Sequence, residues 1–222
     1  KKREFLRQRF FQQINRVRME NLRSRISPHF TFNVLGREIN QFNGSEEVKH
    51  NLMELVKYLR RSLELTEKLS VSLQDELDFV RTYIELERGR VGEDFVATIT
   101  VEDGLDATRI MIPSMIVQIP VENAIKHGLA GKDGKKELMV YVSRETNGIR
   151  ITVTDNGRGY LPQVVSATRG TGTGLKVLYQ TIQLLNTKNK SDKIRFNITN
   201  RSDGQTGTEV SVYIPFRFSY DL

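Results

Sequence analysis

Apolar residues in the first third of the chain recur at spacings of three and four. Phe10, Ile14 and Val17 are followed by Phe32, Leu35, Ile39 and Phe42, the period of a helix with one apolar face. Asn43-Gly44 interrupts the pattern, and Ser45 is placed to cap a new helix with Glu47 in its first turn. A second stripe follows in Val48, Leu52, Leu55, Leu59 and Leu63. Two such helices joined by a short turn make an antiparallel hairpin. Its stripes are too exposed alone, so two copies packed as a four-helix bundle are expected. Val71-Ser72-Leu73-Gln74-Asp75 marks another helix start, with Ser72 as N-cap and acids in the first turn. That helix is expected to run to about residue 88 and to end at Gly89.

Beyond it the period changes. Residues 95–101 alternate and are rich in β-branched side chains, which predicts a strand. Further strands are expected at 138–143, 149–154, 193–198 and 208–214, with helices at 113–127 and 173–186. The first of these helices would carry Pro113 at its first position, where a missing N–H costs nothing. Residues 157–173 are rich in Gly, Thr and Ser without a period, which predicts a mobile loop. The fold class is therefore α+β: an N-terminal helical hairpin followed by an α/β domain of strands and helices.

Composition narrows the function. The 222 residues include no cysteine, which excludes disulfides and thiolate metal sites. Three histidines, His29, His50 and His127, lie too far apart for zinc-like spacing. No apolar run reaches the roughly 20 residues of a membrane helix. The net charge of +7 is confined to residues 1–25, which hold nine Lys/Arg against two acids, while the remainder balances. A basic arm at the start of a fragment fits the cytoplasmic flank of a membrane helix as well as a solvated helix face.

Three segments carry candidate chemistry. In Val121-Glu122-Asn123-Ala124-Ile125-Lys126-His127-Gly128, Asn123 and His127 share a helix face with Glu122 and Lys126 alongside. An Asn carbonyl is a hard oxygen ligand suited to Mg²⁺ that also holds phosphates and water, and Lys126 or His127 would face phosphate charge. In Asp155-Asn156-Gly157-Arg158-Gly159, a carboxylate at a strand end can accept hydrogen bonds from an amino group such as adenine's. Gly157 and Gly159 let a ligand approach the backbone. Gly170-Thr171-Gly172-Thr173-Gly174 runs straight into a helix start, whose unpaired N–H groups favour an anion. Neither the P-loop nor the Rossmann fingerprint is present.

An Asn-bearing helix, a strand ending in Asp-x-Gly-x-Gly, then Gly-x-Gly and a helix, in this order, resembles the ATP-binding domain of the histidine kinase, gyrase, Hsp90 and MutL group. Leu22-Arg23-Ser24-Arg25-Ile26-Ser27-Pro28-His29-Phe30-Thr31-Phe32-Asn33 resembles the phosphoacceptor segment of LytS/YehU-type sensor histidine kinases. Leu59-Arg60-Arg61-Ser62-Leu63, Tyr83-Ile84-Glu85-Leu86-Glu87 and Ile112-Pro113 match as well. The family often has Gln, Asn and Leu where Arg25, Ser27 and Thr31 stand. The resemblance implies a cytoplasmic kinase core divided into a basic arm (1–21), a dimerisation and phosphoacceptor hairpin (22–69) and an ATP-binding domain (70–222). It implies a homodimer, a response-regulator partner and attachment to a membrane through an N-terminal sensor region. By the same resemblance His29 takes the phosphoryl group from ATP; Asn33, four residues on, is placed to orient its ring, and with Phe30 rather than an acid after His29, Glu122 is the candidate base. Asn123 would bind Mg²⁺, Asp155 adenine, and Gly157, Gly159, Gly170, Gly172 and Gly174 would form the nucleotide loops. A catalytically silent scaffold of the same fold, or an ATP-driven clamp of the gyrase or MutL type, are the alternatives.

Overall fold

The computed structural model describes residues 46–160, 173–187, 189 and 191–220. The expected first helix of the hairpin, the cap at Ser45 and most of the glycine-rich loop lie outside them, as do His29, Asn33, Gly170 and Gly172.

Helix α1 (Glu46–Glu67) leads into a three-residue strand β1 (Ser70–Ser72) and helix α2 (Leu73–Val91). Ser72 caps α2 as expected: its hydroxyl accepts from the Asp75 N–H at 3.0 Å, and Asp75 and Glu76 stand in the positive first turn. The helix does not stop at Gly89. It continues to Val91 and closes at Gly92, whose φ of 113° is open to glycine at little cost. Arg88 and Arg90 in the last turn complement the helix dipole there.

The sheet has five strands in the order β2-β4-β5-β7-β6: β2 (Phe95–Val101), β4 (Lys136–Glu145), β5 (Gly148–Asp155), β7 (Thr208–Pro215) and β6 (Arg195–Asn200). Only β2 and β4 run parallel; the other pairs are antiparallel. Register aligns one apolar face across the middle of the sheet. Val140 pairs with Val153, and Val153 with Val210. Val142 pairs with Ile151, and Ile151 with Val212. All are buried. The alternate residues Met139 and Tyr141 are exposed on the other face, the period-two pattern of a sheet covered on one side.

One stretch departs from expectation. Pro113 does not open a helix; it ends strand β3 (Met111–Pro113), which pairs antiparallel with β1. A turn follows, with Met115 at a φ of 70°, before helix α3 (Gln118–Asn123) passes directly into a π-helical stretch (Ala124–Leu129). The helix starts late because a carboxylate outside the segment organises the turn. Glu76, fully buried in α2, accepts hydrogen bonds from the N–H groups of Met115 (2.8 Å), Val117 (2.6 Å) and Gln118 (3.2 Å). These are the donors a helix start leaves without partners.

Helix α4 (Thr173–Asn186) completes the layer over the sheet, burying Val177, Leu178, Ile182 and Leu185. A single apolar core runs from Leu178, Ile182 and Leu185 through α2, α3 and the inner sheet face, and it includes Leu55, Tyr58 and Leu65 of α1. Helix α1 is thus packed on the α/β unit. Tyr58 stacks on Phe79 with ring centroids 4.8 Å apart and an interplanar angle of 2°. The Arg61 guanidinium meets Asp75 at 2.5 Å, and the Ser114 hydroxyl donates to the Leu65 carbonyl.

Candidate functional site

Strand β5 delivers Asp155 to the end of the sheet, where the π-helical stretch crosses it. Asp155 is 3% exposed. Its Oδ1 accepts from the Gly157 N–H at 2.8 Å and from the Thr208 N–H at 3.4 Å. Burial raises its pKa, partly offset by the Gly157 and Thr208 hydrogen bonds and by the positive charge of Arg201. An acid kept in so dry a place by the fold is a candidate ligand contact.

Three glycines let the backbone close around it. A Cβ on Gly128 would lie 2.8 Å from the Asp155 carboxyl, and one on Gly157 would lie 2.2 Å from the Gly128 carbonyl oxygen. A Cβ on Gly207 would lie 1.9 Å from the Asp155 carbonyl oxygen, at a φ of 137° that only glycine adopts easily. Gly159 sits at a φ of 86° beside Asn200, whose side-chain oxygen accepts from the Tyr160 N–H at 2.6 Å. Asn156 stitches this turn to β4: its Oδ1 accepts from the Glu137 N–H at 2.8 Å, and its Nδ2 donates to the Lys135 carbonyl at 3.0 Å.

Asn123 ends α3, five residues before Gly128. Its Nδ2 is buried and has no hydrogen-bond partner among the described residues. A buried amide without a partner is costly, and a ligand oxygen would remove that cost. Among the described residues no group of three or more His, Asp or Glu side chains is arranged to hold a metal.

Lys126 and His127 follow on the π-helical stretch. His127 is exposed; partial desolvation lowers its pKa, helped by the nearby charges of Lys126 and Arg158. Arg158 donates to the Ala130 carbonyl at 2.8 Å. The rim beside Asp155 is therefore cationic. Glu122 is turned inward: one carboxylate oxygen accepts from Gln118 Nε2 at 3.0 Å and the other from Lys126 Nζ at 3.2 Å. Gly174 is the second residue of α4.

Asn123, Lys126, His127, Asp155, Gly157 and Gly159 are brought to one end of the sheet. Sequence reasoning missed Gly207 and Thr208, which close on Asp155 from β7, and Glu76, which organises the start of α3. A glycine immediately before a β-branched strand was a weak signal for the first pair. Nothing local marks Glu76, because its partners lie 39 to 42 residues away.

Comparison with known proteins adds to this geometry. Residues 17–95 match the histidine kinase family, and residues 108–217 match the family of histidine kinase-, DNA gyrase B- and HSP90-like ATPases. The sensor histidine kinase YpdA of Escherichia coli K12 is 28% identical over 90% of this chain and 34% of its own length. The sensor histidine kinase/phosphatase LytS of Staphylococcus aureus MRSA252 is 32% identical over 85% of this chain and 33% of its own length. The chain thus spans about a third of these relatives. The histidine kinase domain of the blue-light activated kinase EL346 of Erythrobacter litoralis superposes with a TM-score of 0.51 at 15% identity, covering 93% of this chain and 94% of that domain. That likeness is one of fold.

Proposed function

We propose, from the premise that this chain belongs to the histidine kinase family, that it is a sensor kinase core that phosphorylates its own His29 and passes the phosphoryl group to a response regulator. The observation that carries this reading is the buried, unpartnered Asn123 Nδ2 on the helix whose π-helical continuation packs Gly128 against the buried Asp155 carboxyl.

Asp155, in its glycine cradle, accepts from the amino group of adenine. Lys126, with His127 and Arg158 on the rim, faces the phosphates. Asn123 is the protein ligand for Mg²⁺, which when bound neutralises charge on the transferring group. Phosphoryl transfer asks little of a protein beyond positioning and charge neutralisation. The P–O bond to ADP breaks as a P–N bond to the His29 imidazole forms, and the imidazole proton leaves. Neutral imidazole is a nucleophile near pH 7 without a strong base. Pro28, beside it, has no backbone N–H to donate. Gly157, Gly159, Gly170, Gly172 and Gly174 form the loops around the nucleotide, and Asn33, one turn from His29, orients its ring. The hairpin pairs two copies, and the basic arm at residues 1–21 lies at the membrane's cytoplasmic face. Among the described residues no helix is long and apolar enough to cross a membrane.

Incubation with γ-labelled ATP and Mg²⁺ tests this. Acid-labile label on the protein is expected, absent in His29→Ala and in Asn123→Ala. ATP binding with no label would mean a silent scaffold, and steady turnover with no phosphoprotein would mean a clamp.

A further inference from the structure

A buried file of polar side chains runs from α1 to the rim of the nucleotide site. Gln118, Glu122 and Lys126 stand at four-residue intervals along one helical stretch, so they share a face. Gln118 is completely buried. Its Nε2 lies 3.4 Å from the Tyr58 hydroxyl of α1 and 3.0 Å from Glu122 Oε1, and an amide nitrogen has one hydrogen for each acceptor. Glu122 Oε2 holds Lys126 Nζ at 3.2 Å. The lysine head uses one of its three donors on this carboxylate, and two remain for an anion. Its side chain is 28% exposed, against 10% for that of Glu122, so the file begins in the core and ends at the surface beside His127.

A core built for packing alone has no reason to hold a carboxylate, whose desolvation is costly unless it is fully paired. Here the pairing has a direction. The backbone N–H of Gln118 is pinned by Glu76, and the Tyr58 ring is stacked on Phe79, so the inner end of the file is rigid. The low dielectric around Glu122 strengthens each link.

We propose that Gln118 and Glu122 are positioning residues that aim Lys126 at the nucleotide phosphates, and that the contact with Tyr58 makes this aim depend on the seating of α1. Resting on the ATP site proposed above, this gives Glu122 a role other than proton acceptor, and it links the helix that follows the phosphoacceptor segment to the charge on the phosphates.

Binding of ATP·Mg²⁺ and of adenosine to the full 222-residue chain, by calorimetry, provides the test. Lys126→Met is expected to weaken ATP about tenfold or more while leaving adenosine within about twofold, the effect of one charge-assisted contact. Gln118→Leu should weaken ATP about threefold or more, again sparing adenosine. In the Lys126→Met background Gln118→Leu should cost nothing further, the non-additivity of groups acting through one another. Losses that multiply, or an adenosine loss matching that of ATP, would show that Gln118 only keeps the helix packed and would overturn the proposal. If Gln118→Leu does not fold, Tyr58→Phe decides. It keeps the stacked ring and removes the hydroxyl, and the same pattern at about twofold supports the file while unchanged ATP binding overturns it. A Lys126→Met chain that binds ATP normally overturns the phosphate role of Lys126 and the file with it. Loss of the kinase reading shows differently, as missing acid-labile label with this binding cycle intact.

Discussion

Asp155 illustrates a residue kept against its own stability. Its folded pKa is raised by burial, so the fold resists ionising it. Below the ordinary value of 3.8 the group is protonated in both folded and unfolded chains and contributes nothing. As pH rises through the folded pKa, the native state carries a desolvated charge that the unfolded chain hydrates freely, and stability falls. Asp155→Asn keeps an oxygen for the Gly157 and Thr208 N–H groups and removes that charge. Thermal melts should therefore find the variant as stable as the wild type or more so at pH 7, with the difference closing toward pH 3. Its ATP affinity should fall at least about tenfold, as expected when a charged hydrogen-bond partner is lost. A variant less stable at pH 7 than at pH 4, relative to wild type, would contradict this account.

Among the elements, α3 depends most on a residue outside itself. Its apolar positions Val117, Ile119, Val121 and Ile125 are legible as helix from their spacing, and so is Asn123 within them. The point at which the helix begins is not legible. Pro113 is a sound first helical residue by local rules, yet the β1–β3 pairing takes it into a strand and Glu76 binds the backbone N–H groups two to five residues later. Glu76→Gln would turn an amide toward three N–H donors that now share a carboxylate. It should lower the urea midpoint by an amount equivalent to roughly 2–3 kcal/mol with little change in slope. A loss under about 0.5 kcal/mol, typical of a surface change, would mean that the turn holds without it. Helix α2 shows the opposite case: its start at Ser72 was written in the sequence, and only its end moved, from Gly89 to Gly92, because Gly89 is compatible with a helix that packing sustains.

At the scale of the molecule, α1 and the α/β unit share one core. Leu55 of the apolar stripe that predicts a partner for α1 is buried within the chain, with Leu59 partly so, and Tyr58 and Leu65 beside the stripe join the same core. Tyr58→Ala should therefore destabilise the whole described unit by roughly 3–5 kcal/mol, the cost of removing a large buried ring. Far- and near-ultraviolet circular dichroism should follow one coincident transition. Loss of helix signal ahead of the tertiary signal would show that α1 is an independent unit.

The sequence by itself determined the five strands of the main sheet, the α2 cap, and the grouping of Asn123, Asp155 and the glycines into one order of motifs. These rest on local chemistry: periodicity, capping hydroxyls, and turns that tolerate only small residues. Even the α+β class needed nothing beyond the change of period after residue 91. Tertiary structure alone decided which polar groups are buried and whom they meet. Glu76, Gln118, Glu122 and Thr208 look like ordinary helix or strand residues in the chain. Their roles come from contacts made when α1, α2, α3 and β7 converge, where the absence of water turns each unpaired donor or acceptor into a constraint on its neighbours.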